Sequence, residues 1–350
     1  MDKPTTKDLA KAAGVSLATV DRVLNKRGGV RQTTVERVTA AIVALNYVRN
    51  ISAANLARST EYMLVFLLPD HDDEFTDMIH MAINEANISM THERTTVSII
   101  RVSANDPHRI AQEIDGLSAD KVDGVAIMVP ETAQVRDAIL RLDARGIAVV
   151  AFVSNQPNAQ SAYFVGINNE AAGRTAGQLL SRFTGEQQGT VLVITETMKS
   201  RDSQERRLGF DAIMAKYAPW LRVHPSMETY ADTTRTAKIV AAAWHNNPEI
   251  VGVYLMHHDI SETMQAIEAQ GIPPKTVIIG HELTQHTRAR LVDGTMDAVI
   301  TQDVGHLVRS SIRVLKARIT QIGTVASQER IRIEIILREN LPEDIKTDCS

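Results

Sequence analysis

The sequence is poor in the features that mark secreted, membrane-bound or disulfide-stapled proteins. Its 350 residues include one cysteine, Cys349, so no disulfide can form within the chain. No stretch approaches the run of about 18 apolar residues that a membrane helix needs. The N-terminal segment has no apolar signal region. These absences argue against an integral membrane protein and predict a cytosolic one.

Catalytic and metal-binding motifs are also missing. The chain contains no Gly-x-Gly-x-x-Gly after a predicted strand, no Walker A loop and no Gly-x-Ser-x-Gly turn. The nearest metal motif places His281 and His286 five residues apart, and on a helix their imidazoles would diverge by about 140°. The run His257-His258-Asp259 is better interpreted as a ligand-contacting loop. We therefore expect no enzyme activity, no cofactor and no metal.

Charge is distributed unevenly along the chain. Residues 1–60 hold ten lysines and arginines against four acidic residues, a formal charge of +6. Because the whole chain carries −4, the remainder carries −10. A basic segment joined to an acidic body concentrates attraction for phosphate at one end. With 44% hydrophobic residues, the chain is long enough for a small head and about two further domains.

Two short helical patterns meet at a glycine near the N-terminus. Leu9, Ala10 and Ala13 share one face of the first, and Val20, Val23 and Leu24 share one face of the second. Between them, Gly14 can adopt the positive φ that ends a helix, and Ser16 can cap the next one. This spacing predicts a helix-turn-helix.

The second helix presents polar and small residues at its N-terminal half, the part that reaches base edges in the major groove. Arg22 is the strongest candidate, because its planar fork can donate two hydrogen bonds to guanine O6 and N7. Leu17 and Ala18 could contact a thymine methyl group, while Ser16, Thr19 and Asn25 suit phosphates. The same helix pattern also fits a small three-helix domain with a solvated charged face.

A third helix follows, with Val35, Val38, Ile42 and Leu45 at helical spacing and a capping box predicted for Thr33 and Glu36. Three motifs then resemble the headpiece and hinge helix of the LacI/GalR family of bacterial transcription regulators. They are Thr19-Val20-x-Arg22-Val23-Leu24-Asn25, Leu45-Asn46-Tyr47 and Ala53-x-x-Leu56-Ala57.

The resemblance implies operator-binding positions beyond the helix-turn-helix. In that family the hinge segment folds when two subunits sit on DNA, and the residue matching Leu56 is a wedge inserted from the minor groove. Asn50 and Ala53 match groove-contacting hinge positions. Asp21 departs from the family's usual serine, so a different half-site sequence is expected. The DNA-binding set is then Thr5, Ser16, Leu17, Ala18, Thr19, Asp21, Arg22, Asn25, Tyr47, Asn50, Ala53 and Leu56.

Beyond Arg58 the pattern alternates between apolar runs and amphipathic helices, which predicts parallel βαβ organisation. Eight strands are expected, followed by a late strand at Ile331–Leu337. These are too many strands for one sheet, so we expect two doubly wound lobes facing a cleft. The resemblance implies a type I periplasmic-binding-protein-like fold. The expected divisions are a headpiece at 1–46, a hinge at 47–60, an effector domain at 61–340 and a tail at 341–350. Within it, the N-lobe covers about 61–164 and 293–322, and the C-lobe about 165–292 and 323–340.

Ligands of open α/β sheets lie outside the carboxyl ends of the strands. Combined with the resemblance, this rule gives a cleft that binds a sugar- or polyol-like effector. Its expected members are Phe75, Ser154, Arg201, Arg206, Asp259, Glu282 and Gln302. His257 and the pair His281-Glu282 depart from the residues usual in the family, so the identity of the ligand is not transferable.

Two functional classes remain open at this stage. The first is a homodimeric, effector-controlled repressor that binds a pseudo-palindromic operator, and the second is a cytosolic solute-binding or enzymatic α/β protein with a helical N-terminal extension. A solute-binding protein of a transporter would need a secretion signal, and its absence argues against that form of the second class. Residues 338–350 contain no leucine heptads, so a dimer is expected and not the tetramer of some family members.

Overall fold

The computed structural model describes residues 4–24, 28–45, 47, 61–70, 73–90, 93–159 and 162–343. The chain divides into two compact units, Met1–Thr60 and Glu61–Ser350. Within the described ranges, no helix combines the length and the apolar character needed to cross a bilayer. Asn25, Asn50, Ala53 and Leu56 of the expected DNA-binding set lie outside these ranges.

The first unit contains three helices, α1 (Thr6–Ala13), α2 (Leu17–Leu24) and α3 (Gln32–Ala44). Thr5 and Asp8 form a capping box at the start of α1, and Gly14 ends that helix with a φ of 61°. Because a side chain at this φ would be strained, glycine suits the tight turn to α2. Leu9, Val20 and Val38 are buried in the small core that closes the three helices.

Helix α3 begins one residue earlier than its expected cap. Arg31 occupies the N-cap position without a side-chain hydrogen bond, so Thr33 lies inside the first turn. The predicted Thr33–Glu36 capping box is therefore wrong. Gln32 Nε2 instead donates to Glu36 Oε1 at 3.4 Å.

The second unit has two sheets. The first is a five-stranded parallel sheet, and together with the helices packed on it we call it the N-lobe. Its strands lie in the order β2-β1-β3-β4-β5. In chain order its elements are β1 (Tyr62–Pro69), α4 (Glu74–Ser89), β2 (Thr95–Val102), α5 (Pro107–Gly116), β3 (Gly124–Ile127), α6 (Ala133–Ala144), β4 (Ala148–Phe152) and β5 (Tyr163–Val165).

The second sheet and its helices form the C-lobe. Its strand order is β12-β11-β10-β9-β6-β7, and β8 pairs with β6. The elements are α7 (Asn169–Thr184), β6 (Gly189–Thr195), α8 (Arg201–Tyr217), β7 (Leu221–Val223), β8 (Met227–Glu228), α9 (Thr233–Asn246), β9 (Ile250–Leu255), α10 (Ser261–Glu268), β10 (Val277–His281), α11 (Gln285–Val292), β11 (Ala298–Thr301) and β12 (Glu334–Ile336). Helix α12 (Val304–Thr320) follows β11 but packs on the N-lobe strands.

The expected fold class, a helical head followed by parallel α/β lobes, is confirmed. The eight predicted strands are all present. The late strand expected at Ile331–Leu337 is shorter, Glu334–Ile336, and pairs antiparallel with β11.

One lobe boundary was wrong. The expected N-lobe segment 293–322 includes Ala298–Thr301, but that strand pairs with β10 and β12 of the C-lobe sheet. The chain therefore returns to the N-lobe only after Gln302, with α12. The error has a physical source, because a fully apolar strand carries no mark of the sheet it joins.

Candidate functional site

The outward face of α2 carries most of the expected base-contacting residues. Leu17 is 47% exposed, and Ala18, Asp21 and Arg22 are also exposed, whereas Val20 on the opposite face is buried. The four exposed residues follow helical spacing, so they share one side of α2. This is the arrangement that a recognition helix presents to the major groove.

Four residues of the expected DNA-binding set also have local structural roles. Ser16 Oγ accepts from Thr19 N at 3.2 Å and lies 2.9 Å from Thr19 Oγ1, so both hydroxyls stabilise the start of α2. Thr5 caps α1 together with Asp8. Tyr47 packs against the small core and remains partly exposed.

Arg37 on α3 was missed by the sequence analysis. Its NH2 donates to the backbone oxygens of Ala13 at 2.5 Å and Gly14 at 2.9 Å. The guanidinium thereby satisfies carbonyls that the end of α1 leaves free. Arg37 thereby stabilises the turn that orients α2. It was missed because no local pattern indicates a contact with Ala13, which lies 24 residues earlier in the chain.

In the second unit, residues after the strands of both lobes meet across a cleft. The N-lobe contributes Asp73, Phe75, Glu131 and Ser154, and the C-lobe contributes Arg201, Arg206, His257, His258, Glu282 and Gln302. Polar contacts join the two lobes. Glu131 Oε2 lies 3.3 Å from Arg201 NH1, Asp73 Oδ1 lies 3.7 Å from His258 Nε2, and Glu74 Oε2 accepts from His286 N at 3.2 Å.

Arg206 is buried, with 4% of its surface exposed. Its Nε donates to Asn169 Oδ1 at 2.9 Å and its NH1 to the backbone oxygen of Met256 at 2.5 Å. Neither partner is charged, and the Arg206 charge acts on Glu282, whose pKa it tends to lower. Keeping a guanidinium away from water is costly, which fits a group that holds a polar ligand.

Two helices of the C-lobe approach closely to place Arg206. A Cβ atom added at Gly173 on α7 would lie 1.9 Å from the backbone oxygen of Arg206, and one added at Gly209 on α8 would lie 2.0 Å from that of Glu170. Only glycine allows this backbone approach. The pair therefore fixes how far α8 carries Arg206 toward the cleft.

Glu282 and Gln302 form a buried polar pair at the ends of neighbouring strands. Gln302 Nε2 donates to Glu282 Oε1 at 3.0 Å, and Thr301 Oγ1 donates to Glu282 Oε2 at 3.2 Å. Burial raises the pKa of Glu282, which favours its protonated form. Glu282 has a φ of 61°, and such strain is concentrated at functional sites.

Three buried polar atoms near these strand ends have no hydrogen-bond partner among the described residues. They are His257 Nδ1, His281 Nδ1 and Gln302 Oε1. Their residues lie at or just after β9, β10 and β11, which are adjacent in the sheet. Unpaired buried polar atoms are rare and require an explanation, and a polar ligand in the cleft would supply their partners.

The histidines of the cleft differ in protonation. Burial lowers the pKa of His257 to about 4 and that of His281 well below its usual range, so both are neutral at pH 7. His281 Nε2 lies 2.8 Å from the hydroxyl of the buried Tyr254. In contrast, the Asp73 carboxylate outweighs the effect of burial on His258 and raises its pKa to about 8.

Asp259 follows His258 on the loop after β9. It is exposed, and its Oδ1 accepts from Ser261 Oγ at 2.7 Å and Ser261 N at 3.2 Å at the start of α10. The neighbouring His258 faces the other lobe instead, with its ring centroid 5.5 Å from that of Phe75. His258 therefore joins the candidate residues of the cleft, and the assignment of Asp259 stays a prediction.

The other expected cleft residues occupy different depths. Phe75, Arg206, Glu282 and Gln302 are buried, while Ser154 and Arg201 are half-exposed. Arg201 lies at the rim, where it pairs with Glu205 at 2.8 Å and with Glu131. In the described part of the chain, no three His, Cys, Asp or Glu side chains lie where they could hold one metal ion.

Comparison with known families matches both units. The family described as "Bacterial regulatory proteins, lacI family" matches residues 5–50, and "Periplasmic binding protein domain" matches residues 64–322. The maltose regulon regulatory protein of Vibrio furnissii is 36% identical over 84 residues, 24% of this chain and 61% of that protein. Catabolite control protein A of Staphylococcus aureus is 26% identical over 181 residues, 51% of this chain and 52% of that protein. The matched segments thus cover about half to three-fifths of the length of these two relatives.

Among solved structures, a solute-binding protein of an ABC transporter from Burkholderia graminis, in complex with D-arabinose, has a similar fold. The TM-score is 0.70 at 20% identity, and the similarity covers 80% of this chain and 96% of that one. At this identity the likeness shows the fold of the second unit alone.

Proposed function

Because this chain belongs to the family of the periplasmic binding protein domain, matched over residues 64–322, and its residues 5–50 match the lacI family of bacterial regulatory proteins, we propose that it is a transcriptional repressor that binds a DNA operator. The observation that carries the proposal is the exposed face of α2, with Arg22, Leu17 and Ala18 on one side of a helix whose start is fixed by Ser16. The charge of +6 on residues 1–60 supplies attraction for the DNA backbone.

The alternative of a solute-binding protein with a helical extension shares the fold of the second unit. The match at residues 5–50 and the capped turn before α2 favour the regulator. A solute-binding protein has no need for an exposed recognition helix on a basic unit.

We further propose that a sugar- or polyol-like effector binds in the cleft and controls operator affinity. Support comes from buried Arg206, from the Glu282–Gln302 pair and from the unpartnered polar atoms of His257, His281 and Gln302. A ligand with several hydroxyl groups can both donate to and accept from such a set. The fold is shared with a protein solved in complex with D-arabinose.

A thermal-shift screen of sugars and polyols tests the effector proposal. A ligand that binds the folded state at 100 times its dissociation constant should stabilise the protein by about 2.7 kcal/mol. The same ligand should leave Arg206→Met unshifted, because the guanidinium is the buried cation of the site. A hit that shifts this variant as strongly as the original protein would remove Arg206 from the ligand site.

We propose that the protein acts as a homodimer, because one small recognition unit makes few base contacts. Helix α4 exposes Ile88 (76%) and Met81 (58%) two turns apart, and β2 is the edge strand of the N-lobe sheet. An exposed apolar stripe beside a sheet edge suits an interface with a second copy. Sedimentation at micromolar concentration should give a dimer, and a stable tetramer would contradict the proposal.

The two units are coupled, in this proposal, through residues 47–60. The segment around Leu56 would contact the operator when two copies of the protein meet on it. Leu56 would then act as a wedge in the minor groove. Effector binding would shift the two N-lobes of a dimer and so change the spacing of the two segments.

A further inference from the structure

We propose that His258 and Asp73 form a proton-dependent latch across the cleft, which makes closure of the two lobes, and with it effector affinity, weaken as the pH rises above neutral. The proposal rests on the cleft being the effector site. It adds a regulatory property of that site, which is a response to pH in the physiological range.

The geometry places the pair between the lobes. Asp73 precedes α4 of the N-lobe, and His258 follows β9 of the C-lobe, with 3.7 Å between Oδ1 and Nε2. The side chains are 6% and 24% exposed. The His258 ring also packs on Phe75, so closure buries it against an apolar surface as well as a carboxylate.

Asp73 is held rigidly for this role. Its Oδ1 accepts from Thr76 N at 2.9 Å and its Oδ2 from Thr76 Oγ1 at 2.8 Å. These bonds and the His258 contact keep the pKa of Asp73 far below its usual range, although burial opposes them. The carboxylate therefore stays ionised throughout the pH range in which a histidine titrates.

The charged groups around His258 mostly favour its protonation. Glu196 lies after β6 and Asp202 lies at the start of α8, and both act on His258 in the same direction as Asp73. On its own loop, His257 is neutral at pH 7 because burial lowers its pKa to about 4. The pair across the cleft thus joins one permanent negative charge to one charge that depends on pH.

The sign of the effect follows from the two states of the cleft. With the lobes in contact, the pKa of His258 is about 8, and in an open cleft it should return toward its ordinary value of 6.5. Protonation then favours closure fully below pH 6.5, and this contribution is lost as the pH rises through 8. The difference of 1.5 corresponds to a change of up to about 30-fold in the ratio of closed to open molecules.

A second ion pair across the cleft provides a matched control. Arg201 and Glu131, 3.3 Å apart, also join the lobes, and this pair contains no histidine. Loss of this pair should favour the open cleft without removing the pH dependence. Loss of the His258–Asp73 pair should remove it.

The experiment measures lobe separation by energy transfer between dyes in the full-length protein without ligand. Cysteines at the exposed positions Gln134 of the N-lobe and Lys199 of the C-lobe, in a Cys349→Ser background, carry the dyes. We expect energy transfer to fall between pH 6.5 and 9. His258→Gln and Asp73→Asn should abolish this change, and Arg201→Gln should keep it. Asparagine can still cap α4, so Asp73→Asn tests the charge with the helix start retained.

Proton NMR of the histidine ring supplies the second measurement. We expect His258 to titrate near pH 8 in the original protein and at a clearly lower pH in Asp73→Asn. An unchanged titration in Asp73→Asn, or a pH-dependent separation that persists in His258→Gln, would overturn the latch. Because neither measurement uses DNA or an effector, a failed latch is distinguishable from a failed assignment of the cleft, which the ligand screen reports.

Discussion

Replacing Arg22 by alanine should nearly abolish the preference for the operator over other DNA. A bidentate arginine–guanine contact is worth about 1–3 kcal/mol of discrimination. In a dimer both half-sites lose it, so operator binding should weaken by about 2–6 kcal/mol, whereas nonspecific binding should change little. Fluorescence anisotropy with an operator selected from a random duplex pool and with an unrelated duplex, at one salt concentration, measures both affinities.

Arg22→Lys and Arg31→Ala are the controls for this prediction. Lysine keeps the charge and loses the planar fork, so it should lose discrimination with the salt dependence unchanged. Arg31 is exposed at the start of α3, on a different helix, and its loss should affect both DNAs by the same small factor. Equal weakening of Arg22→Ala on both DNAs would show that Arg22 contacts phosphate and not a base.

A single substitution, Gly173→Ala, should both destabilise the second unit and disrupt the cleft. The added Cβ would lie 1.9 Å from the backbone oxygen of Arg206, so α7 and α8 must separate. Overpacking of this kind usually costs about 1–3 kcal/mol, and a backbone clash lies at the upper end. At roughly 2 °C for each kcal/mol in a unit of this size, calorimetry should show a melting temperature lower by about 6 °C.

Gly116→Ala is the matched control, because a Cβ at this helix position meets no atom within 4 Å. Its melting temperature should equal or slightly exceed that of the original protein. Gly173→Ala should also lose the thermal shift from any ligand that stabilises the original protein, since the displaced α8 carries Arg206. A variant with an unchanged melting temperature would mean that the helices adjust without cost.

The regular part of the fold was predictable because its signals are local. Apolar runs such as Val277–Gly280 are long enough to identify strands, and the glycine and serine around α2 mark its boundary directly. The strands β5, β7 and β8 have only two or three residues, which is too few for a period to show. Which sheet β11 joins depends on its neighbours in space, so the sequence left the lobe boundary ten residues too early.

The sequence predicted which loops lie between the lobes, and the membership of the effector site stays a prediction. Strand ends identify the right loops, and four of the expected residues are buried there. Within a loop, however, the direction of a side chain depends on the backbone, so the sequence did not show that His258 faces the other lobe. Arg37 and Asp73 act through contacts distant in sequence, and local patterns carry no information about those.

The most direct measurement of the central claim is selection of DNA from a random duplex pool by the full-length protein. If the chain is a dimeric operator-binding regulator, the pool should converge on a pseudo-palindrome with two half-sites, and the selected duplex should bind at least about a thousandfold more tightly than unrelated DNA at physiological salt. A pool that stays random after repeated rounds, or binding that is equal on all duplexes, would contradict it.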